Sequence, residues 1–128
     1  MKSIHIEATY NTPKVDFDPA TGDLKFYGRS IPEHANMFYV PIVKWLDEYS
    51  MTNPPKIKLS MMLDYINSSS VKYFMDVFEK LESIKKNGSE VAVEWYYESD
   101  DEEMRDVGEE YEEALDLKFK YIALDEFE

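Results

Sequence analysis

The passage from Ile57 to Ile84 constrains the fold more than any other part of this chain. Residues 57–66 (IKLSMMLDYI) form an apolar run that follows Asn53-Pro54-Pro55. Proline there can neither supply a ladder N–H nor continue a helix, so the run starts afresh after it. A short apolar run bounded by turn residues is what a buried central strand looks like. Directly afterwards Val71, Phe74, Met75, Phe78, Leu81 and Ile84 recur at helical spacing, which lays one apolar stripe along a helix. Lys85-Lys86 complement the partial negative charge of that helix's C-terminus, and Gly88 suits the position just beyond it.

The rest of the chain adds elements around this unit. Ser3 to Thr9 alternates, with Ile4 and Ile6 on one side and His5 and Glu7 on the other, as a half-buried strand does. Val15–Phe17 and Leu24–Tyr27 alternate around Asp18-Pro19-Ala20-Thr21-Gly22-Asp23, the pattern of a hairpin. Ser30-Ile31-Pro32-Glu33 fits a capping box, followed by Phe38, Ile42, Trp45, Leu46 and Tyr49 at helical spacing. Pro41 interrupts that helix, which either kinks near Met37 or starts late with Pro41 in its first turn. Val91–Tyr97 reads as a strand. Ser99-Asp100-Asp101-Glu102 reads as a second capping box, before Met104, Val107, Tyr111 and Leu115 on a third helix. Phe119–Leu124 reads as a closing strand. The order is β-β-β-α-β-α-β-α-β, which predicts an α/β fold with a mixed sheet flanked by about three helices.

Composition then removes function classes. Cysteine is absent, so no disulfide, thiol nucleophile or zinc–thiolate site can exist. No window approaches the ~18 apolar residues of a membrane helix, and Met1–Glu7 lacks a signal-peptide core; a cytoplasmic protein with no membrane partner is expected. Its 128 residues with 44% hydrophobic content suit one domain over 1–128. The net charge of −13 opposes nucleic acid as a partner. From Glu98 to Glu113, ten acids against one base, Arg105, place −9 of that charge in one window, and any electrostatic partner of it should be basic. Those carboxylates lack the spacing of a calcium loop, and they read as a solvated helix face. Four glycines do not make a phosphate-cradling loop, and the sequence holds no nucleophile elbow or zinc-protease motif. His5 and His34 read as exposed or structural residues. Trp45, Trp95, Tyr96 and Tyr97 read as core and sheet surface. No enzyme, metal or cofactor is expected.

What remains is Asn67-Ser68-Ser69-Ser70, where the buried strand ends and the best-defined helix begins. Ligands and partners of open α/β sheets dock at this end of the strands. A helix start presents unpaired N–H groups and partial positive charge, which favour an anion. Two readings stand side by side: these residues cap the helix, or one serine accepts a phosphate that alters a docking surface.

A family pattern surrounds the serines. Ile6-Glu7-Ala8-Thr9, Thr12-Pro13, Val15-Asp16-Phe17-Asp18, Gly22-Asp23-Leu24 and Gly28-Arg29-Ser30-Ile31-Pro32-Glu33 resemble the SiaC family of bacterial regulatory phosphoproteins. Phe38-Tyr39-Val40-Pro41, Trp45-Leu46 and Leu63-Asp64-Tyr65-Ile66-Asn67-Ser68-Ser69-Ser70 extend the resemblance over nearly the whole chain. It implies a STAS-like domain, similar to anti-sigma-factor antagonists, that works by partner switching. A protein kinase would phosphorylate the hydroxyl at the strand–helix junction and a PP2C-type phosphatase would remove the phosphate. The unphosphorylated form would bind and activate a diguanylate cyclase, raising cyclic di-GMP and favouring biofilm. The acceptor falls on Ser68, with Ser69 the second choice, and Asn67, Ser68, Ser69 and Ser70 form the expected partner-binding set. The family's acceptor is commonly threonine; serine carries the same hydroxyl. The competing reading is a constitutive acidic interaction domain that binds a basic partner, its serines serving only as helix caps.

Overall fold

The computed structural model describes residues 1–127. Its elements are β1 (Ile4–Ile6), β2 (Lys14–Asp18), β3 (Asp23–Ser30), α1 (Ala35–Ser50), β4 (Lys56–Ile66), α2 (Ser68–Lys86), β5 (Glu90–Glu98), α3 (Glu102–Glu113) and β6 (Phe119–Leu124). This is the expected order. The six strands lie side by side in sequence order. β1, β2 and β3 pair antiparallel, whereas β3 through β6 pair parallel, so the sheet is mixed.

Each parallel step crosses through one helix. Right-handed crossovers taken in one direction put every helix on the same side of the sheet. The side chains agree: Phe17 packs on Trp45 of α1, Phe26 on Phe74 of α2, and Trp95 on Tyr111 of α3. The core fills this one interlayer space, with Val15, Phe17, Leu24, Phe26, Ile57, Leu59, Met61, Val93 and Trp95 alternating inward. Outward positions form rows across the strands. One row joins Asp16, Lys25, Ser60, Glu94 and Lys120; the next joins Lys14, Tyr27, Met62, Tyr96 and Ile122.

Four local expectations are corrected. Ser30 does not cap α1, because β3 continues through it in register with Ile66, and its side chain is buried. His34 stands at the N-cap instead, without a side-chain cap bond. α1 starts at Ala35, well before Pro41, so the late-start alternative fails. The N–H that proline lacks would have faced the Met37 carbonyl, and both residues lie on the exposed side, where water can serve that carbonyl. Asp101, not Ser99, caps α3: its carboxylate accepts the Met104 N–H at 3.1 Å. β1 also stops at Ile6, short of the expected Thr9.

Gly108 sets how closely α3 approaches the sheet. A Cβ there would lie 2.8 Å from the Trp95 indole. That ring is buried and pinned by its own N–H, which donates to the Met104 carbonyl at 3.0 Å. Helix propensity favours alanine over glycine by about 1 kcal/mol, but overpacking a core costs about 1–3 kcal/mol. Gly108→Ala should therefore lower stability in urea unfolding; an unchanged or raised midpoint would contradict this packing.

His5, opposite Asp16 across the β1–β2 pair, is bonded to the carboxylates of Asp16 and Glu7. The hydrogen bond to Asp16, then that to Glu7, raises its pKa above the ordinary 6.5. The protonated form is the favoured one, so the contact is fully present below pH 6.5 and fades as pH rises through the raised value. NMR titration should find the His5 midpoint above 6.5, and Asp16→Asn should bring it down.

Candidate functional site at the strand–helix junction

The site begins with an irregularity between β3 and β4. Gly28 lies opposite Leu63 but Arg29 lies opposite Tyr65, leaving Asp64 as an extra residue on β4. Such a bulge bends its strand and reverses which side chains point inward. Leu63 is accordingly buried, Tyr65 is 57% exposed, and Ile66 packs against the core. The chain then enters α2 through Asn67, whose N–H donates to the Ser30 carbonyl at 2.9 Å. The start of α2 is thereby tied to the end of β3.

Asn67 is the N-cap of α2. Its Oδ1 accepts the Ser70 N–H at 3.1 Å, the Ser70 hydroxyl at 2.7 Å and the Ser69 hydroxyl at 3.0 Å. Ser70 Oγ is also 2.7 Å from Ser30 Oγ, which bonds in turn to the Tyr39 hydroxyl. One proton assignment satisfies every member: Tyr39 donates to Ser30, Ser30 to Ser70, and Ser70 to Asn67. Ser30, Ser70 and Tyr39 are fully buried, and burial pushes the Tyr39 phenol well above its ordinary pKa, which keeps it neutral as a donor. Among the described residues no buried side-chain nitrogen or oxygen lacks a partner.

The three serines therefore have different surroundings. Ser70 has no exposed surface; its place in the expected partner-facing set is corrected to that of a buried support, because Asn67 and Ser30 claim its hydroxyl. Ser69 is exposed and leans on Asn67. Ser68, the first residue of α2, is exposed, and among the described residues its hydroxyl makes no hydrogen bond. It opens into a shallow cleft lined by Ser69, Lys72 and Tyr73 of α2 and by Glu33, His34, Ala35 and Asn36 at the start of α1. Two helix N-termini thus face one depression, with Lys72 a turn after Ser68. Each contributes unpaired N–H groups and partial positive charge.

The roles of Ser30 and Tyr39 at the junction escaped the sequence reading. Their roles depend on a contact between residues forty apart in the chain, and no local pattern encodes such a contact. Among the described residues no group of His, Asp or Glu side chains is clustered to hold a metal. Nor is any helix there long and apolar enough to cross a membrane.

Comparison with known proteins agrees with this fold. The model of a family described as SiaC family regulatory phosphoprotein matches residues 6–124. An uncharacterized protein of Pseudomonas aeruginosa (strain UCBPP-PA14) is 29% identical over 126 residues, spanning 98% of this chain and 100% of that protein. The solved structure of SiaC of Pseudomonas aeruginosa superposes with a TM-score of 0.89 at 27% identity, over 97% of this chain and 100% of that one. A crystal structure of the diguanylate cyclase SiaD in complex with its activator SiaC, also from Pseudomonas aeruginosa, matches with a TM-score of 0.89 at 28% identity. That match covers 94% of this chain and 99% of the other.

Ser30→Ala should remove the middle of the buried hydroxyl chain and leave Tyr39 and Ser70 short of a partner. The expected loss is about 1–3 kcal/mol in chemical unfolding, and it should exceed that of Ser69→Ala at the surface. Equal, negligible losses for the two would show that the chain of hydroxyls does not support the junction.

Proposed function

This chain belongs to the SiaC family of regulatory phosphoproteins, and we propose that it is a non-enzymatic signalling protein that switches partners through Ser68. The observation that carries this reading is the contrast within the serine run. Ser68 alone combines an exposed, unbonded hydroxyl with the first position of a helix, while Ser70 is buried and Ser69 is turned to the cap.

In this reading a protein kinase transfers the γ-phosphoryl group of ATP to Ser68 Oγ, releasing ADP, and a PP2C-type phosphatase hydrolyses the ester. Both would act in the cytoplasm. The phosphate brings roughly −1.5 to −2 charges to a helix N-terminus that favours anions, beside Lys72. Ser68 takes no part in the buried hydroxyl chain, so modification leaves the fold intact. Exposed Tyr65 and Val71 flank Ser68 in sequence. A partner that buries those apolar surfaces would have to strip water from the phosphate, which opposes binding. The unphosphorylated form would accordingly bind and activate a diguanylate cyclase, linking the chain to cyclic di-GMP and biofilm. Support for the cyclase comes from the similar SiaC of Pseudomonas aeruginosa, named as activator of SiaD.

Incubation with the cognate kinase and ATP should add one phosphate, mapped by mass spectrometry to Ser68 and lost in Ser68→Ala. Ser68→Asp should weaken cyclase binding by about tenfold or more. Full phosphorylation of Ser68→Ala at Ser69 would move the switch to the second serine. Unchanged binding by Ser68→Asp, abolished instead by salt, would favour a constitutive acidic interface.

A further inference from the structure

Helices α2 and α3 touch without closing the space between them. Val71, Met75, Val107, Glu110 and Tyr111 line an open groove there. Val71 is 43% exposed and Met75 and Val107 are half-buried, so apolar surface on both helices remains uncovered. The Tyr111 hydroxyl donates to the Val71 carbonyl at 2.8 Å and fixes the floor. Val71 with Met75, and Val107 with Tyr111, are each four residues apart, so two helical ridges form the walls.

The rim of the groove is acidic. Glu110 lies in its lining, and Glu103 and Asp106 are exposed on the same helix. Arg105, the single base in that window, is engaged by Glu109 at 2.9 Å and by the Tyr97 hydroxyl at 2.9 Å. Among the described residues the Arg105–Glu109 pair is the one ion pair that α3 makes. Among the described residues the rim carboxylates thus meet no cation.

We propose that this groove seats a basic amphipathic helix supplied by the protein partner. Its apolar side chains, spaced i, i+3/i+4 and i+7, would cover Val71, Met75 and Val107, and its Lys or Arg side chains would meet Glu103 and Glu110. The occupant must be helical because the walls are helices whose backbone groups are already paired. The groove offers no free ladder to an extended strand, so the occupant has to satisfy its own backbone. It must be basic because covering unpaired carboxylates with a neutral surface leaves buried charge uncompensated. Val71 lies three residues after Ser68 on α2 and so shares its side of the helix, making the groove a continuation of the switch surface. Identifying the partner as the cyclase rests on the proposed function.

The test is binding of the cognate diguanylate cyclase to the intact chain and to Val71→Ser, Glu110→Lys and Ser68→Asp, with thermal melting as the control for folding. Val71→Ser and Glu110→Lys should each weaken binding by about tenfold or more without lowering the melting temperature. Glu110→Lys should also flatten the dependence of affinity on salt. Wild-type affinity in both groove variants, with Ser68→Asp impaired, overturns the groove and spares the switch. The converse pattern overturns the switch and spares the groove. Should the wild-type chain bind no cyclase, the proposed function falls, and the groove is judged on a designed Leu/Lys helical peptide. NMR shifts at Val71–Met75 and Val107–Tyr111 would then uphold it, and their absence would overturn it.

Discussion

The junction depends on one buried polar contact, that of Ser70 with Ser30 at 2.7 Å. An apolar core could have been closed here with alanines, at less risk, because a half-satisfied polar group in low dielectric is costlier than none. What the hydroxyls provide is registration. Ser30 ends β3, Ser70 sits in the first turn of α2, and Tyr39 sits in α1, so the chain of bonds joins elements that hydrophobic packing alone would hold with more freedom. With Asn67 also bonded through its N–H to the Ser30 carbonyl, the first turn of α2 can neither slide nor rotate without breaking several bonds at once. Ser68 is presented outward as a consequence.

The bulge at Asp64 serves the same end. Without the extra residue, β4 would keep its alternation, and position 65 would point into the core. The slip at Gly28/Arg29 turns Tyr65 to solvent and Ile66 inward, and so delivers Asn67 over Ser30. Gly28 has a positive φ of 119° at that slip, a conformation glycine adopts at little cost. Backbone irregularity, cap and buried hydroxyls therefore act together on one turn of helix.

The framework was legible in the sequence, because strands and helices announce themselves through periodicities of 2 and 3.6. The apolar run at 57–66 and the stripe from Val71 to Ile84 lie where they were expected, and the exposed serine lies at their junction. The errors share one cause. A capping box is a local pattern, and it assigns Ser30 and Ser99 each to the nearest helix. Ser30 is instead recruited by strand pairing and by a bond to Ser70, while Asp101, two residues nearer to α3 than Ser99, does the capping. The two interior members of the site, Ser30 and Tyr39, became visible once the fold brought residues forty apart into contact. Gly108 is another such case: its missing side chain matters because Trp95 occupies the space.

Charge and packing are divided unevenly over the molecule, and the division bears on how a switch can act. Ser68, Tyr65 and Val71 sit around a junction whose interior is already fully bonded, so a new charge on Ser68 has no buried partner to disturb. Its effect falls on whatever touches the surface. A signalling domain with a net charge of −13 gains little from a further phosphate through long-range repulsion, because surface charges more than ~8 Å apart are largely screened at physiological salt. In the proposed switch the added charge would therefore act at contact range, by keeping its water where an apolar partner surface would exclude it. That requirement favours a phosphate site with exposed apolar side chains nearby over one inside the acidic helix, and the proposed site at Ser68 has Tyr65 and Val71 exposed three residues to either side.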